Sequence, residues 1–101
     1  MAIEMKSETG KFIIRGDRSG VFYGEILERD GKEVRIGSCR RLWYWDGAAS
    51  LSQIAEEGVK CPDSCKFTVT VSEATILDAI EILPCTAAAC ASIDSVKAWK
   101  I

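Results

Sequence analysis

Residues 11–15 (KFIIR) form a short apolar run that predicts a strand, and the glycine-bracketed 16–20 (GDRSG) predicts a turn. Residues 21–29 and 32–45 then read as two strands flanking Asp30-Gly31. Asp-Gly between strand-like runs is a strong hairpin signal, because both central residues of a type I′ turn need φ > 0. That turn sets Leu27 opposite Val34, Glu25 opposite Ile36, Tyr23 opposite Ser38 and Val21 opposite Arg40. Gly24 falls opposite Gly37, which strips side chains from both strands and leaves room for a backbone, a ring or a ligand. The same register puts Glu28 against Glu33, a like-charge pair costing about a few tenths of a kcal/mol. A one-residue bulge would relieve it and shift the pairing.

After the hairpin the period changes. Ser50 and Gln53 fit a capping box, Leu51, Ile54 and Ala55 make a narrow apolar face, and Gly58 is a stop signal, so residues 50–57 predict a short helix. Residues 59–65 read as a loop and 66–71 (KFTVTV) as a strand. The apolar positions of 73–83 suit a helix or a strand, and a strand over 76–83 is preferred. Thr86 caps a predicted alanine-rich helix over 87–93, and 96–101 (VKAWKI) predicts a closing strand. Residues 1–10 read as frayed or as an edge strand. The expected fold is α+β: one domain over 1–101, with a curved antiparallel sheet, like a small barrel or roll, built on the 21–45 hairpin. Two short helices, at about 50–57 and 87–93, lie on it.

Composition narrows the function. The chain has 101 residues, 48% apolar and 28% charged, the balance of a globular domain. It has no histidine, which removes Ser-His-Asp and Cys-His catalysis and histidine metal sites. The carboxylates form no motif specifying a general acid/base pair, so the expectation is a non-enzymatic protein without a cofactor. No apolar run is long enough for a membrane span, and the start, MAIEMKSETGK, does not read as a signal peptide, so a reducing, cytosolic setting is expected. The odd count of five cysteines fits that setting, with Cys39, Cys61, Cys65, Cys85 and Cys90 read as small buried hydrophobes. Zinc held by the 61/65 and 85/90 pairs is the weaker alternative, since knuckle spacing is tighter.

Net charge is −2, but residues 11–45 hold eight basic and five acidic residues, while 46–101 hold four basic and eight acidic. A basic hairpin in an acidic chain permits local anion binding but not a long nucleic-acid track. Its densest segment is RRLWYWDG at 40–47. On a strand, Arg41, Trp43 and Trp45 share one face and Arg40, Leu42 and Tyr44 the other. A guanidinium forks onto phosphate oxygens and an indole stacks a base, so Arg40 or Arg41 with Trp43 or Trp45 makes a nucleotide site, with Gly24 leaving room. The same residues also make a protein-interface hot spot, or a tryptophan core with solvated arginines. Arg18 and Ser19 in the 16–20 loop offer an anion nest, for which a plain turn is the alternative.

The stretches GVFYG at 20–24, DGKEV at 30–34, RRLWYW at 40–45 with GAASLSQ at 47–53, and EILPCT at 81–86 resemble a family of small tailed-phage and prophage proteins of unknown function. The resemblance covers residues 12–100 and implies a phage accessory protein in the host bacterial cytoplasm, with no activity attached. Small phage proteins include counter-defence inhibitors, both signal-binding sponges and protein binders. The expected function is therefore sequestration of a small anionic nucleotide signal. The alternative is a protein-binding inhibitor of a host defence or replication enzyme. Few long elements and three tryptophans predict exposed apolar surface and hence a homo-oligomer, most simply a two-fold dimer.

Overall fold

The computed structural model describes residues 6–101. Among the described residues six strands and two helices follow in order: β1 (Phe12–Gly16), β2 (Val21–Asp30), β3 (Glu33–Tyr44), α1 (Leu51–Glu57), β4 (Lys66–Phe67), β5 (Val71–Ile76), β6 (Ala79–Pro84) and α2 (Ala87–Ser95). A 3-10 turn at Pro62–Ser64 precedes β4. The sheet runs β4-β3-β2-β1-β6, with β5 also on β3, and its ladders are antiparallel. This is an α+β fold.

Both faces of the sheet are buried, for different reasons. One carries Ile13, Tyr23, Leu42 and Phe67, and packs against Ile54 and Ala55 of α1 and Ala89, Cys90 and Ile93 of α2. The other gathers Phe12, Ile14, Phe22, Val34, Ile36, Cys39, Ile76 and Ala79, all of them from strands. A sheet face that buries itself without a helix has to curl. The curl brings the tip of the β2–β3 hairpin to the start of β6, where the Ala79 amide donates to the Lys32 carbonyl at 3.0 Å. β5 and β6 follow one another but pair with β3 and β1 respectively, so the roll stays open.

The hairpin forms, in a different register from the expected one. The turn residues are Gly31 and Lys32, with Asp30 opposite Glu33. Only Gly31 has a positive φ, 60°, so glycine serves as the first turn residue, as in a II′ turn, rather than the second. Glu28 now faces Arg35, whose Nε lies 3.6 Å from its carboxylate, so the like-charge clash is gone. Bulges interrupt the ladder between Ile26 and Glu28 and between Tyr23 and Glu25. Ser38 sits at the second with φ 47°. Gly24 and Gly37 are therefore not partners: Gly24 faces Phe12 on β1, and Gly37 faces Glu25. A Cβ on Gly24 would meet Ile36 Cγ2 at 2.6 Å and the Gly37 carbonyl oxygen at 2.7 Å, so the chain itself fills that space.

Local signals held best at the helices. Ser50 Oγ accepts from the Gln53 amide at 3.2 Å, while Gln53 Oε1 reaches back to the Ala49 amide at 2.8 Å. Gly58 ends α1 with φ 81°, and Thr86 Oγ1 caps α2 by accepting from the Ala89 amide at 3.1 Å. Elsewhere the expectations need correction. The strand expected over 66–71 is only Lys66–Phe67, because β5 starts anew at Val71 on a different part of β3. The strand expected over 76–83 breaks at Leu77-Asp78. Residues 96–101 form no strand; one parallel bridge joins Ala98 to Phe67. Of the first ten residues, 1–5 lie outside the described ones. Residues 6–10 are tied down: Thr9 Oγ1 donates to the Cys85 carbonyl at 2.9 Å, and Glu8 accepts from the Ala87 amide at 2.8 Å.

Candidate functional site

The bulge at Ser38 decides what the end of β3 presents. Val34 and Ile36 point into the roll, and beyond the extra residue Cys39 does so too. Arg40 and Leu42 thereby turn toward the helices, while Arg41 follows Cys39 to the mouth of the roll.

Arg40 is 7% exposed. Its Nε donates to the Thr68 carbonyl at 2.8 Å, its Nη1 to Ile93 at 2.9 Å and its Nη2 to the Val96 carbonyl. The last two acceptors are carbonyls at the C-terminal end of α2, where Ile93 also accepts from the Val96 amide at 3.2 Å, so a buried cation there adds to the cap and complements the helix dipole. Burial lowers the guanidinium's pKa, against the opposing pull of Asp94. The expected phosphate clamp at Arg40 has no free donor edge facing solvent; this arginine fastens β3 to α2.

Arg41 is exposed. Its guanidinium lies 4.5 Å from the centroid of the Phe22 ring, and Nη1 donates to the Ser19 carbonyl. Among the described residues Arg41 and Arg18 make no ion pair with a carboxylate, whereas Arg15 and Arg35 are paired with Glu81 and Glu73. Arg41, Trp43 and Trp45 line one groove of about 370 Å³ with Gly20 and Val21, and among the described residues no acidic one borders it. The structure thus brings together three of the residues singled out from the sequence. Arg18 borders a neighbouring hollow of about 490 Å³ that shares Ser19 and Arg41 with the groove.

The anion nest exists and holds an anion of the protein's own. Asp78 accepts from the Arg18 amide at 2.7 Å, the Ser19 amide at 3.0 Å and Ser19 Oγ at 2.5 Å. Those bonds, the hydroxyl's first, hold its carboxyl below the usual carboxylate range.

Sequence reasoning missed two participants. Trp99 stacks on Trp43 with ring centroids 5.0 Å apart and planes at 26°, and Lys66 Nζ stands 5.4 Å from each of these rings. Trp43 is 57% exposed and Trp99 48%. The only sign was a third tryptophan between Lys97 and Lys100, in a stretch read as a strand. What places it is the Trp99 amide donating to the Phe67 carbonyl at 2.8 Å.

Of the cysteines only Cys61 is exposed. Burial, with Cys90 nearby, pushes the Cys85 thiol up to about 12, so it stays protonated and is a poor nucleophile. Among the described residues no three His, Cys, Asp or Glu side chains converge as a metal site. No helix of the described residues is long and apolar enough to cross a membrane.

No curated protein and no solved structure matches the chain. A family model does, over residues 9–93, a span that holds Arg18, Gly24, Arg40, Arg41, Trp43 and Trp45 and stops short of Trp99. The chain belongs to the family described as a domain of unknown function, DUF6948.

Proposed function

We propose that this is a phage-encoded, non-enzymatic binding protein of the host bacterial cytoplasm that sequesters a small anionic nucleotide signal as a counter-defence device. The observation that carries the reading is the convergence of Arg41, Trp43 and Trp45 on one groove of about 370 Å³. That size falls in the range of small-ligand sites. Arg41 takes a phosphate and an indole stacks the base, with Arg18 adding positive charge from the adjoining hollow. Phage origin rests on the resemblance of RRLWYW at 40–45 and GAASLSQ at 47–53. Native mass spectrometry of freshly purified protein tests the reading: an excess over the denatured mass equal to a nucleotide supports it. A bare protein that also gives no heat with linear or cyclic nucleotides overturns it.

A second reading, a protein-binding inhibitor of a host defence or replication enzyme, is favoured by one feature. Trp43, Tyr44 and Trp99 are each about half exposed, which is the make-up of an interface hot spot. It predicts a host protein that co-purifies from infected cells and is lost on Trp43→Ala without unfolding. The same exposed side chains support a homo-oligomer, most simply a two-fold dimer, and the native mass reads that directly.

A further inference from the structure

Asp78 lies in the turn between β5 and β6, distant in sequence from Arg41 but joined to it through one residue. Its carboxylate grips the tip of the 16–20 loop by the two amides and the hydroxyl of Arg18 and Ser19. Its own carbonyl accepts from the Asp17 amide at 2.9 Å, and the Gly16 amide closes the neck on the Gly20 carbonyl at 2.8 Å. The fit is tight enough that a Cβ on Gly16 would come within 2.7 Å of Asp78 Oδ1. Ser19, held in this way, turns its carbonyl to Arg41 Nη1. With Phe22 beneath the guanidinium at 4.5 Å, Arg41 is fixed on two sides at the junction of the groove and the adjoining hollow.

We propose that Asp78 is a positioning residue for Arg41, setting its guanidinium for a phosphate-bearing ligand through the Ser19 carbonyl. This rests on the reading of the groove as an anion site. A free arginine loses much rotamer freedom when it clamps a phosphate, and one already held by a carbonyl and a ring loses less. The negative charge of Asp78 beside an anion site does not defeat this. Its carboxylate already accepts three hydrogen bonds, and Arg18 and Arg41 outnumber it around the hollow. The opposite role, an internal anion competing with the ligand for the loop amides, makes the opposite prediction.

The test uses the full chain with Asp78→Ala and Asp78→Asn, the second keeping a carbonyl oxygen for the two amides. Nitrogen-15 relaxation of the Arg41 side chain reads its order without any ligand, and calorimetry with pyrophosphate reads the site. We expect Asp78→Ala to mobilise the Arg41 side chain and weaken pyrophosphate binding about fivefold or more, with partial recovery in Asp78→Asn. Backbone amide spectra unchanged outside 16–20 and 77–79 separate this from unfolding; if the alanine variant does not fold, Asp78→Asn carries the comparison. An unchanged Arg41 order, or tighter pyrophosphate binding, overturns the proposal. Absence of pyrophosphate binding by the unaltered protein overturns the anion reading of the groove, while the Arg41 order parameter still decides the clamp.

Discussion

Arg40 and Arg41 are adjacent in β3 and carry the same charge, yet they belong to different regions of the molecule. Arg40 lies with Leu42, Tyr23 and Phe67 in the layer between sheet and helices, its donors on three carbonyls. Arg41 lies at the mouth of the roll over Phe22, held by one carbonyl, on a groove that it shares with Trp43 and with Trp45, which packs on the helix-side core. Alternation along β3 sends one arginine to each side, and the irregularity at Ser38 decides which of the two faces the helices. A guanidinium bonded to three internal carbonyls is a structural tie, whereas one with donors to spare at a groove keeps them available to a ligand.

Substitutions should separate the two regions sharply. Arg40→Ala takes the guanidinium donor from the Thr68 and Val96 carbonyls and leaves the Ile93 carbonyl with the Val96 amide alone, and is expected to cost roughly 3 kcal/mol in denaturant unfolding. Arg41→Ala should cost under about 1 kcal/mol, as for a surface substitution. Equal losses at the two positions would break the comparison. Gly24→Ala is expected to cost about 1–3 kcal/mol by overpacking against Ile36 and the Gly37 carbonyl. A neutral effect there would mean that Gly24 does leave free space. Trp43→Ala should remove the stack on Trp99 at about 1 kcal/mol of stability and be read as a change in tryptophan fluorescence. The smallest effect is expected at Tyr23→Phe. Tyr23 Oη is buried near Cys90 and Asp94 but meets neither in hydrogen-bonding geometry, so its loss should be neutral or stabilising by up to about 1 kcal/mol in thermal melts.

Which parts of this arrangement could be read from sequence follows the range of the interactions that make them. The caps at Ser50, Gly58 and Thr86 depend on residues within a few positions, and they appear where expected. The hairpin was legible from Asp30-Gly31, but its register was not, because glycine fits either turn position and the Glu28–Glu33 clash was the only warning. The break at Leu77-Asp78 is enforced from elsewhere, by the Asp17 amide on Asp78 and the Lys32 carbonyl on Ala79. Period alone does not contain that. Within the site, Arg41, Trp43 and Trp45 are legible as a group from their spacing, although β3 ends at Tyr44 and Trp45 reaches the groove from beyond the strand. The burial of Arg40 required knowing that α2 ends against β3, and the role of Trp99 required the single bridge at Ala98. Asp78 belongs to no carboxylate motif in the sequence, although the loop that it fills reads there as a nest.

The central claim is that the Arg41 groove binds a nucleotide. Titration calorimetry of the intact protein against a panel of linear and cyclic nucleotides, repeated with Arg41→Ala, tests it most directly. The account predicts saturable heat with at least one member, weakened about 10- to 100-fold by Arg41→Ala while Tm stays within a few degrees. No heat with any member from folded protein, or binding that survives Arg41→Ala unchanged, would contradict it.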